Sequence, residues 1–278
     1  MIVVASRDSG YPVRLRDLDP QPDPLWIDGD ATALTARTVA IVGTRRMTAY
    51  GERVARELAG ACASAGVVVV SGLAQGIDSA AHRGALDAGG RTVAVLGEGI
   101  ALFRATVRGR RRPLVPRIRA SGALVSQYAP NFCAQPWAFA KRNATIAALS
   151  EAVVVVEAGE VSGALITGAD ARRLGRPLYA IPGPLGSAAS VGTNALIASR
   201  AACALVDTAA LLEALELSAS EASASDDPVL EALSGEVLDI DSLARRAGRG
   251  RAELESELAR LLLSGAVAVT RDGRYRRA

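Results

Sequence analysis

The sequence predicts an α/β fold: a mainly parallel sheet with helices on both faces, followed by a second, smaller unit. Three observations carry this. From residue 38 onward six short β-branched runs recur: TVAIVG (38–43), VVVVSG (67–72), TVAVLG (92–97), ALVSQY (123–128), AVVVVEAG (152–159) and RPLYAIPG (176–183). Nearly all close on glycine or a small polar residue, and near-continuous apolar runs of this length are what strands buried on both faces require. Between them lie stretches with apolar residues at helical spacing; 49–64 carries Val54, Leu58, Ala61 and Cys62, and 138–149 is similar. The chain has 278 residues, 50% hydrophobic and 22% charged, with 27 glycines, a balance able to bury a sizeable core.

Taken in order, residues 1–36 read as a lead-in segment whose 11–34 stretch is proline-spaced and irregular, and residues 37–214 as the sheet domain. Residues 215–227 contain LSASEASASDD, a tract that cannot bury apolar surface and reads as a flexible linker. Residues 228–278 read as helices over 228–234, 241–247 and 251–264, then a hairpin turned at Asp272–Gly273. Three helices and a hairpin make a winged-helix pattern. In a doubly wound sheet, ligands sit outside the carboxyl ends of the strands, where these glycine-rich turns cluster.

Composition narrows the chemistry. No apolar run approaches the roughly 18 residues of a membrane helix, so no membrane association is expected. The start, MIVVASRD, lacks the basic n-region of a secretory signal, and a cytoplasmic address is expected. Cys62, Cys133 and Cys203 lie far apart without a C-x-x-C pair, which fits reduced thiols and gives no expectation of a metal site. His82 is the only histidine, so any Ser-His or Cys-His mechanism runs through it. The net charge of +3 does not by itself announce a polyanion partner; clustering must decide. Lys141 is the only lysine, so nearly all positive charge is arginine, which forks onto phosphate and stacks on bases.

The first turn is GTRRMTAYG (43–51): Gly43 closes a strand, Thr44 follows, and Arg45 and Arg46 project before a helix opening at Ala49. A helix N-terminus beside arginine is a ready phosphate site, and a plain structural turn accounts for these residues equally well. Neither the three-glycine dinucleotide fingerprint nor G-K-[ST] is present, so no NAD or nucleoside triphosphate cofactor is expected. The second turn, SGLAQGIDSAAH (71–82), places Ser71 and Gly72 after a strand and Asp78 and His82 four apart on the following helix. Such a pair orients a general base, but no nucleophile signature accompanies it, and a structural histidine is the plainer account. After the turn Gly97–Glu98–Gly99 come seven arginines, Arg104, Arg108, Arg110, Arg111, Arg112, Arg117 and Arg119, the densest positive charge in the chain. A solvated face and a polyanion-binding edge are both open for them. In FAKRNATIAALS (139–150), Lys141, Arg142 and Asn143 open a helix near Phe132, Trp137 and Phe139. Cations interleaved with flat rings suit single strands, whose phosphates meet the charges and whose unpaired bases stack; core packing is the other account of Phe139. Ser162–Gly163 and Gly192–Thr193–Asn194 precede further helices on the same rim.

In this order and at these spacings the motifs resemble the DNA-processing protein A family (DprA, also called Smf), mediators of transformation and recombination that bind single-stranded DNA. The resemblance covers about residues 11–207: GTRRMTAYG, VVSGLAQGIDSAAHRGAL, TVAVLGEG, the KRN run, SGALITGADA followed by GRPLYAIPG, and VGTNALI. It implies an extended Rossmann-like core that forms a homodimer, holds single-stranded DNA at the carboxyl edge of its sheet and helps load a RecA-type recombinase. It also implies that Arg45 contacts the DNA backbone, with Lys141, Arg142 and Asn143 in the same pocket. With the rim turns, the candidate DNA-binding set is Gly43, Thr44, Arg45, Arg46, Ser71, Gly72, Gly97, Gly99, Arg104, Arg108, Lys141, Arg142, Asn143, Ser162 and Gly163. The chain departs from the family pattern in places. The usual Ser-Glu pair is Ser126–Gln127, the arginine after R-N is Ala144, the Gly-Ala near the last helix is Arg200–Ala201, and the arginine cluster replaces a Tyr-Pro-x-x-Asn run. No counterpart is read for the sterile-alpha-motif-like front domain of many members.

Three readings follow. The first is a non-catalytic module for single-stranded DNA. The second is an enzyme on a related scaffold, a phosphoribohydrolase resembling the Lonely Guy family with Glu157 or Glu160 as acid; against it, Val161-Ser162-Gly163-Ala164 stands where that family has Pro-Gly-Gly-x-Gly-Thr. The third makes the C-terminal unit the main DNA reader, through Arg245, Arg246, Arg249 and Arg251 at its helix starts and Arg274, Arg276 and Arg277 on its wing.

Overall fold

The six β-branched runs become the parallel heart of a sheet. The computed structural model describes residues 1–215, 228–233, 236–263, 267–270 and 272–277. The strands are β1 (Ile2–Val4), β2 (Leu25–Gly29), β3 (Thr38–Val42), β4 (Val68–Ser71), β5 (Thr92–Leu96), β6 (Ala123–Ser126), β7 (Ala152–Val155), β8 (Leu178–Ala180) and β9 (Cys203–Ala204). They lie in the order β1-β2-β6-β5-β4-β3-β7-β8-β9. Neighbours from β6 across to β9 pair parallel, whereas β2 pairs antiparallel to β6 and β1 antiparallel to β2. Wound around the sheet are α1 (Ala49–Ser64), α2 (Ile77–Asp87), α3 (Ile100–Thr106), α4 (Leu114–Ser121), α5 (Pro136–Leu149), α6 (Gly163–Arg173), α7 (Val191–Ala198) and α8 (Thr208–Ala214).

Every residue of β3 to β7 is buried, yet strict alternation still sorts the side chains. Ala40, Val42, Val93, Val95, Val153 and Val155 pack with Ile146 and Leu149 of α5 and Ala164 and Ala171 of α6. Val39, Ile41, Val69 and Val154 turn to the other face, against Ala55, Leu58 and Cys62 of α1 and Ile77 and Ala81 of α2. Ala94, Leu96 and Leu124 meet α3 and α4 through Ile100, Phe103 and Ile118.

Two expectations change. The lead-in segment, expected to be irregular over 11–34, supplies a strand: Leu25–Gly29 pairs with β6, and Leu15, Leu25 and Leu34 enter the core. A five-residue strand directly after three closely spaced prolines, carrying a charged residue, gives little periodic signal. The buried stripe of α1 runs through Ala55, Leu58, Ala59 and Cys62 rather than Val54, Leu58, Ala61 and Cys62, because its small residues take the close contact with α2.

The chain divides into two compact units, Met1–Ser218 and Ala219–Ala278. In the second are α9 (Pro228–Ala232), α10 (Ile240–Ala247) and α11 (Arg251–Leu263), then β10 (Val267–Val269) paired antiparallel with β11 (Tyr275–Arg277). Asp239 caps α10 by accepting from the Ser242 amide at 2.8 Å, and Gly248 closes it at φ 64°. Val229, Leu243, Leu254, Leu258 and Val267 form its core. Of the expected linker, residues 216–227 lie outside the described residues, as does residue 264 at the expected end of the third helix. Among the described residues no helix is long and apolar enough to cross a membrane.

Candidate nucleic-acid interface

The strand order reverses at β3. The chain steps from β3 to β4, β5 and β6 on one side, then returns to β7 on the other. Turns leaving β3 and β7 therefore diverge and open a crevice at the carboxyl edge. A cleft of 470 Å³ lies there, lined by Gly43, Thr44, Arg45 and Arg46 after β3, by Gly159, Val161, Ser162 and Gly163 ahead of α6, and by Phe139, Arg142 and Asn143 of α5. A second cleft of 360 Å³ shares Arg45, Phe139 and Arg142 and adds Gly72, Gln75, Gly97, Glu98 and Arg111. A third of 350 Å³ shares Arg45 and gathers Arg46, Arg83, Arg110 and Arg111. Arg45 thus belongs to all three.

Phe139 is the centrepiece because Gly97 lets it approach: a Cβ at residue 97 would stand 2.6 Å from its ring. Two guanidinium groups lie over that ring, Arg45 at 5.8 Å and Arg142 at 5.9 Å from the centroid. Arg142 is only 5% exposed and donates to the carbonyls of Gly72 at 2.7 Å and Val95 at 2.6 Å, stitching β4 to β5. Across Gly72 sits buried Asp78, which accepts from the amides of Gly72 at 3.2 Å and Ala74 at 3.4 Å. Burial pushes the Asp78 carboxyl upward in pKa against the pull of Arg142, and burial lowers Arg142 against the pull of Asp78. Arg45 and Arg46 are exposed, and no carboxylate pairs with either among the described residues. Near the start of α5, Tyr128 stacks on Phe132 at 4.5 Å and Trp137 meets both edge-on at 5.9 Å while staying 55% exposed.

The helix that follows Arg45 and Arg46 already has its anion. The Glu157 carboxylate accepts from the Thr48 amide at 2.9 Å and from the Thr48 hydroxyl, while the Thr48 side chain caps α1 by accepting from the Gly51 amide at 3.1 Å. A Cβ at Gly51 would lie 2.2 Å from Glu157 Oε2, so the carboxylate is seated against the first turn. The start of α6 is open by contrast: Ser162, Gly163 and Ala164 line the large cleft, and nothing stands within 4 Å of where a Gly163 Cβ would be.

Residues 2–216 match the family model described as DNA recombination-mediator protein A. The chain belongs to that family. A DprA relative from Mycobacterium tuberculosis, named a putative DNA processing protein, is 41% identical over 96% of this chain and 72% of its own. Protein Smf of Escherichia coli is 36% identical over 96% of this chain and 76% of its own. Among solved structures, DprA of Streptococcus pneumoniae superposes with a TM-score of 0.70 at 32% identity, covering 76% of this chain and 73% of that one. DNA processing protein A of Helicobacter pylori, described for its unique single-stranded DNA binding mode, gives 0.69 at 27%, covering 77% and 95%.

Within this DprA-family fold the candidate residues separate. Gly43, Thr44, Arg45, Arg46, Arg142, Asn143, Ser162 and Gly163 line the large cleft, and Gly72 and Gly97 the second. Lys141 is exposed but lines none of the three. Four residues prove to be engaged elsewhere. The Ser71 hydroxyl donates to the Ile41 carbonyl at 2.7 Å, and Gly99 is buried with its amide on the Phe132 carbonyl at 2.9 Å. Arg104 pairs with buried Asp28 at 3.1 Å, and Arg108 folds back onto the carbonyls of Ala105 and Val107. Arg119 shares Asp28, and Arg117 pairs with Asp87. The arginines of the run that reach the Arg45 clefts are Arg110 and Arg111; an unperiodic RGRRRP stretch offers no signal for which ones turn inward.

The enzymatic candidates are also accounted for. Glu157 is the clamp on α1, and Glu160 is an exposed loop residue. Asp78 and His82 do not bond each other. His82 Nδ1 lies 2.7 Å from the Thr92 hydroxyl, which itself donates to the Val69 carbonyl, so Nδ1 carries the proton. Burial, then the charges of Arg142 and Arg83, lower the His82 pKa to about 3.

Proposed function

We propose that this chain is a non-catalytic binder of single-stranded DNA that holds the phosphates on Arg45, Arg46, Arg110 and Arg111 and the bases against Phe139 and Trp137. The observation that carries the reading is that exposed Arg45, Arg46 and Arg110 and half-buried Arg111 line adjoining clefts at the strand-order reversal with no carboxylate partner among the described residues, Arg45 lying over the Phe139 ring. An anionic strand supplies the missing counter-charges, and unpaired bases supply faces for the rings. The H. pylori relative, described for binding single-stranded DNA, supports the same ligand.

On this reading the chain protects incoming single strands in the cytoplasm, works as a homodimer and helps load a RecA-type recombinase in recombination and natural transformation. The second unit is a winged helix, and deleting residues 228–278 separates a role in DNA reading from one in protein contact. Of the arginines expected to read DNA there, Arg246, Arg249, Arg251 and Arg274 are paired with Glu236, Glu253, Asp241 and Asp272 respectively, whereas exposed Arg245 and Arg276 have no acidic partner among the described residues.

The test is a salt titration of dT20 and duplex binding on the intact chain and on Arg45→Ala. Neutralising Z phosphates on a single strand gives a log-log slope of about −0.7Z, so the substitution is expected to weaken dT20 binding and make the slope shallower by about 0.7. Absence of dT20 binding at low salt, or an affinity untouched by Arg45→Ala, overturns the reading.

A further inference from the structure

Glu98, in the turn after β5, is the one carboxylate among the residues lining the second cleft, beside Arg45, Arg111 and Phe139. A grip on phosphate alone gives it no task, because an anion in that space repels the backbone it would hold. Its main chain is fixed: the Ser126 hydroxyl donates to the Glu98 carbonyl at 2.8 Å, and neighbouring Gly97 lies under the Phe139 ring. Its side chain is half-buried and accepts no hydrogen bond among the described residues; burial pushes its pKa up while the charge of Arg111 pulls it down. A carboxylate partly withdrawn from water without a donor is the group in the cleft that gains most from a ligand N–H.

We propose that Glu98 reads base edges, so that the second cleft takes cytosine in preference to thymine or uracil. The inference rests on the strand-binding reading above. With phosphates drawn to Arg45 and Arg111, a base lodged in the cleft meets an acceptor-only carboxylate. Cytosine offers its N4 amine, the donor that Glu or Asp takes in base recognition. Uracil and thymine place the O4 carbonyl there, and their N3–H lies between two carbonyl oxygens that repel the second carboxylate oxygen. Placing an acceptor against an anion leaves both without a partner.

The experiment competes dC20 against dU20, which share ring size and lack the thymine methyl, on the full chain at neutral pH and fixed salt. The unaltered protein is expected to favour dC20 by about tenfold, in the range of one good base contact. In Glu98→Gln the ratio falls to about twofold or less, since an amide serves either base. In Glu98→Ala it falls to about one while dU20 binding is kept or strengthened, which also reports an intact fold. A ratio near one in the unaltered protein overturns the proposal and leaves strand binding standing. So does a tenfold ratio that survives both substitutions, or a shift of both ligands by one common factor. No binding of either oligonucleotide at low salt removes the strand-binding reading itself, and this proposal with it.

Discussion

Arg45 and Arg142 hold their guanidinium groups at nearly equal distances from Phe139, 5.8 and 5.9 Å, one at the mouth of the cleft and one in its wall. Solvent separates them. At the mouth, the turn after β3 leaves Arg45 exposed and without a carboxylate, so its charge is available to a ligand. In the wall, Arg142 is closed in and bonded to two carbonyls of adjacent strands with Asp78 across Gly72. The same side chain in the same pocket is a binding group in one place and a structural bolt in the other. The criterion is whether its hydrogen-bond donors are already used by the protein.

The sharpest way to break that comparison is Arg142→Ala. It strands the Gly72 and Val95 carbonyls and leaves the Asp78 charge buried without its compensating cation. Removing one partner from such an arrangement costs about 3–5 kcal/mol. Urea unfolding is expected to show a midpoint shift of that order at unchanged slope. Arg142→Lys recovers only part of it, since one ammonium on a flexible stem does not reproduce a planar fork. A loss below about 1 kcal/mol for the alanine variant contradicts the role of a bolt.

The next effect tests how dry the region behind the wall is. His82 is buried, with Nε2 lacking a partner among the described residues, and its folded pKa of about 3 lies below the ordinary 6.5. The unfolded chain therefore binds the extra proton between those values. The histidine costs the fold nothing above pH 6.5, and stability is lost as pH falls from there toward 3. At pH 5 the loss is about 2 kcal/mol relative to neutral pH. Asp78, with its pKa raised, acts in the opposite sense, so the measurement is a difference. His82→Asn, unfolded by urea at pH 7 and pH 5, should lose less stability over that interval than the parent chain. Equal losses would mean water reaches the imidazole.

How much of this was legible depends on whether neighbours along the chain or across it decide the outcome. The parallel strands and the limits of α1, expected over 49–64 and observed at Ala49–Ser64, follow from local apolar runs and a threonine cap. The antiparallel strands at one end of the sheet do not. Leu25–Gly29 is a strand because β6 lies beside it, and its Asp28 is buried only because Arg104 and Arg119 arrive from another part of the chain. In the site, the carboxyl-edge location and Arg45 were readable from glycine turns, but the division within Lys141-Arg142-Asn143 was not. Successive helical residues point about 100° apart, so one cation faces out and the next faces in, and residue type alone does not say which. The clamp of Glu157 on α1 was equally hidden, since it depends on β3 and β7 being neighbours.

The smallest effect separates used from unused donors inside the arginine run itself. Arg104 pairs with Asp28, whereas Arg110 lines the Arg45 cleft with no acidic partner among the described residues. If free charge is what a strand meets, Arg110→Ala should make the salt slope for dT20 shallower by up to about 0.7 and weaken binding most at low salt. Arg104→Ala should leave the slope where it was, because Arg104 is held on Asp28 and lines none of the three clefts that Arg45 shares. Equal slopes for the two variants, both shallower than the parent, would show that a paired guanidinium at this edge still counts as charge to a polyanion. The distinction between mouth and wall would then rest on burial alone, with pairing removed as a criterion.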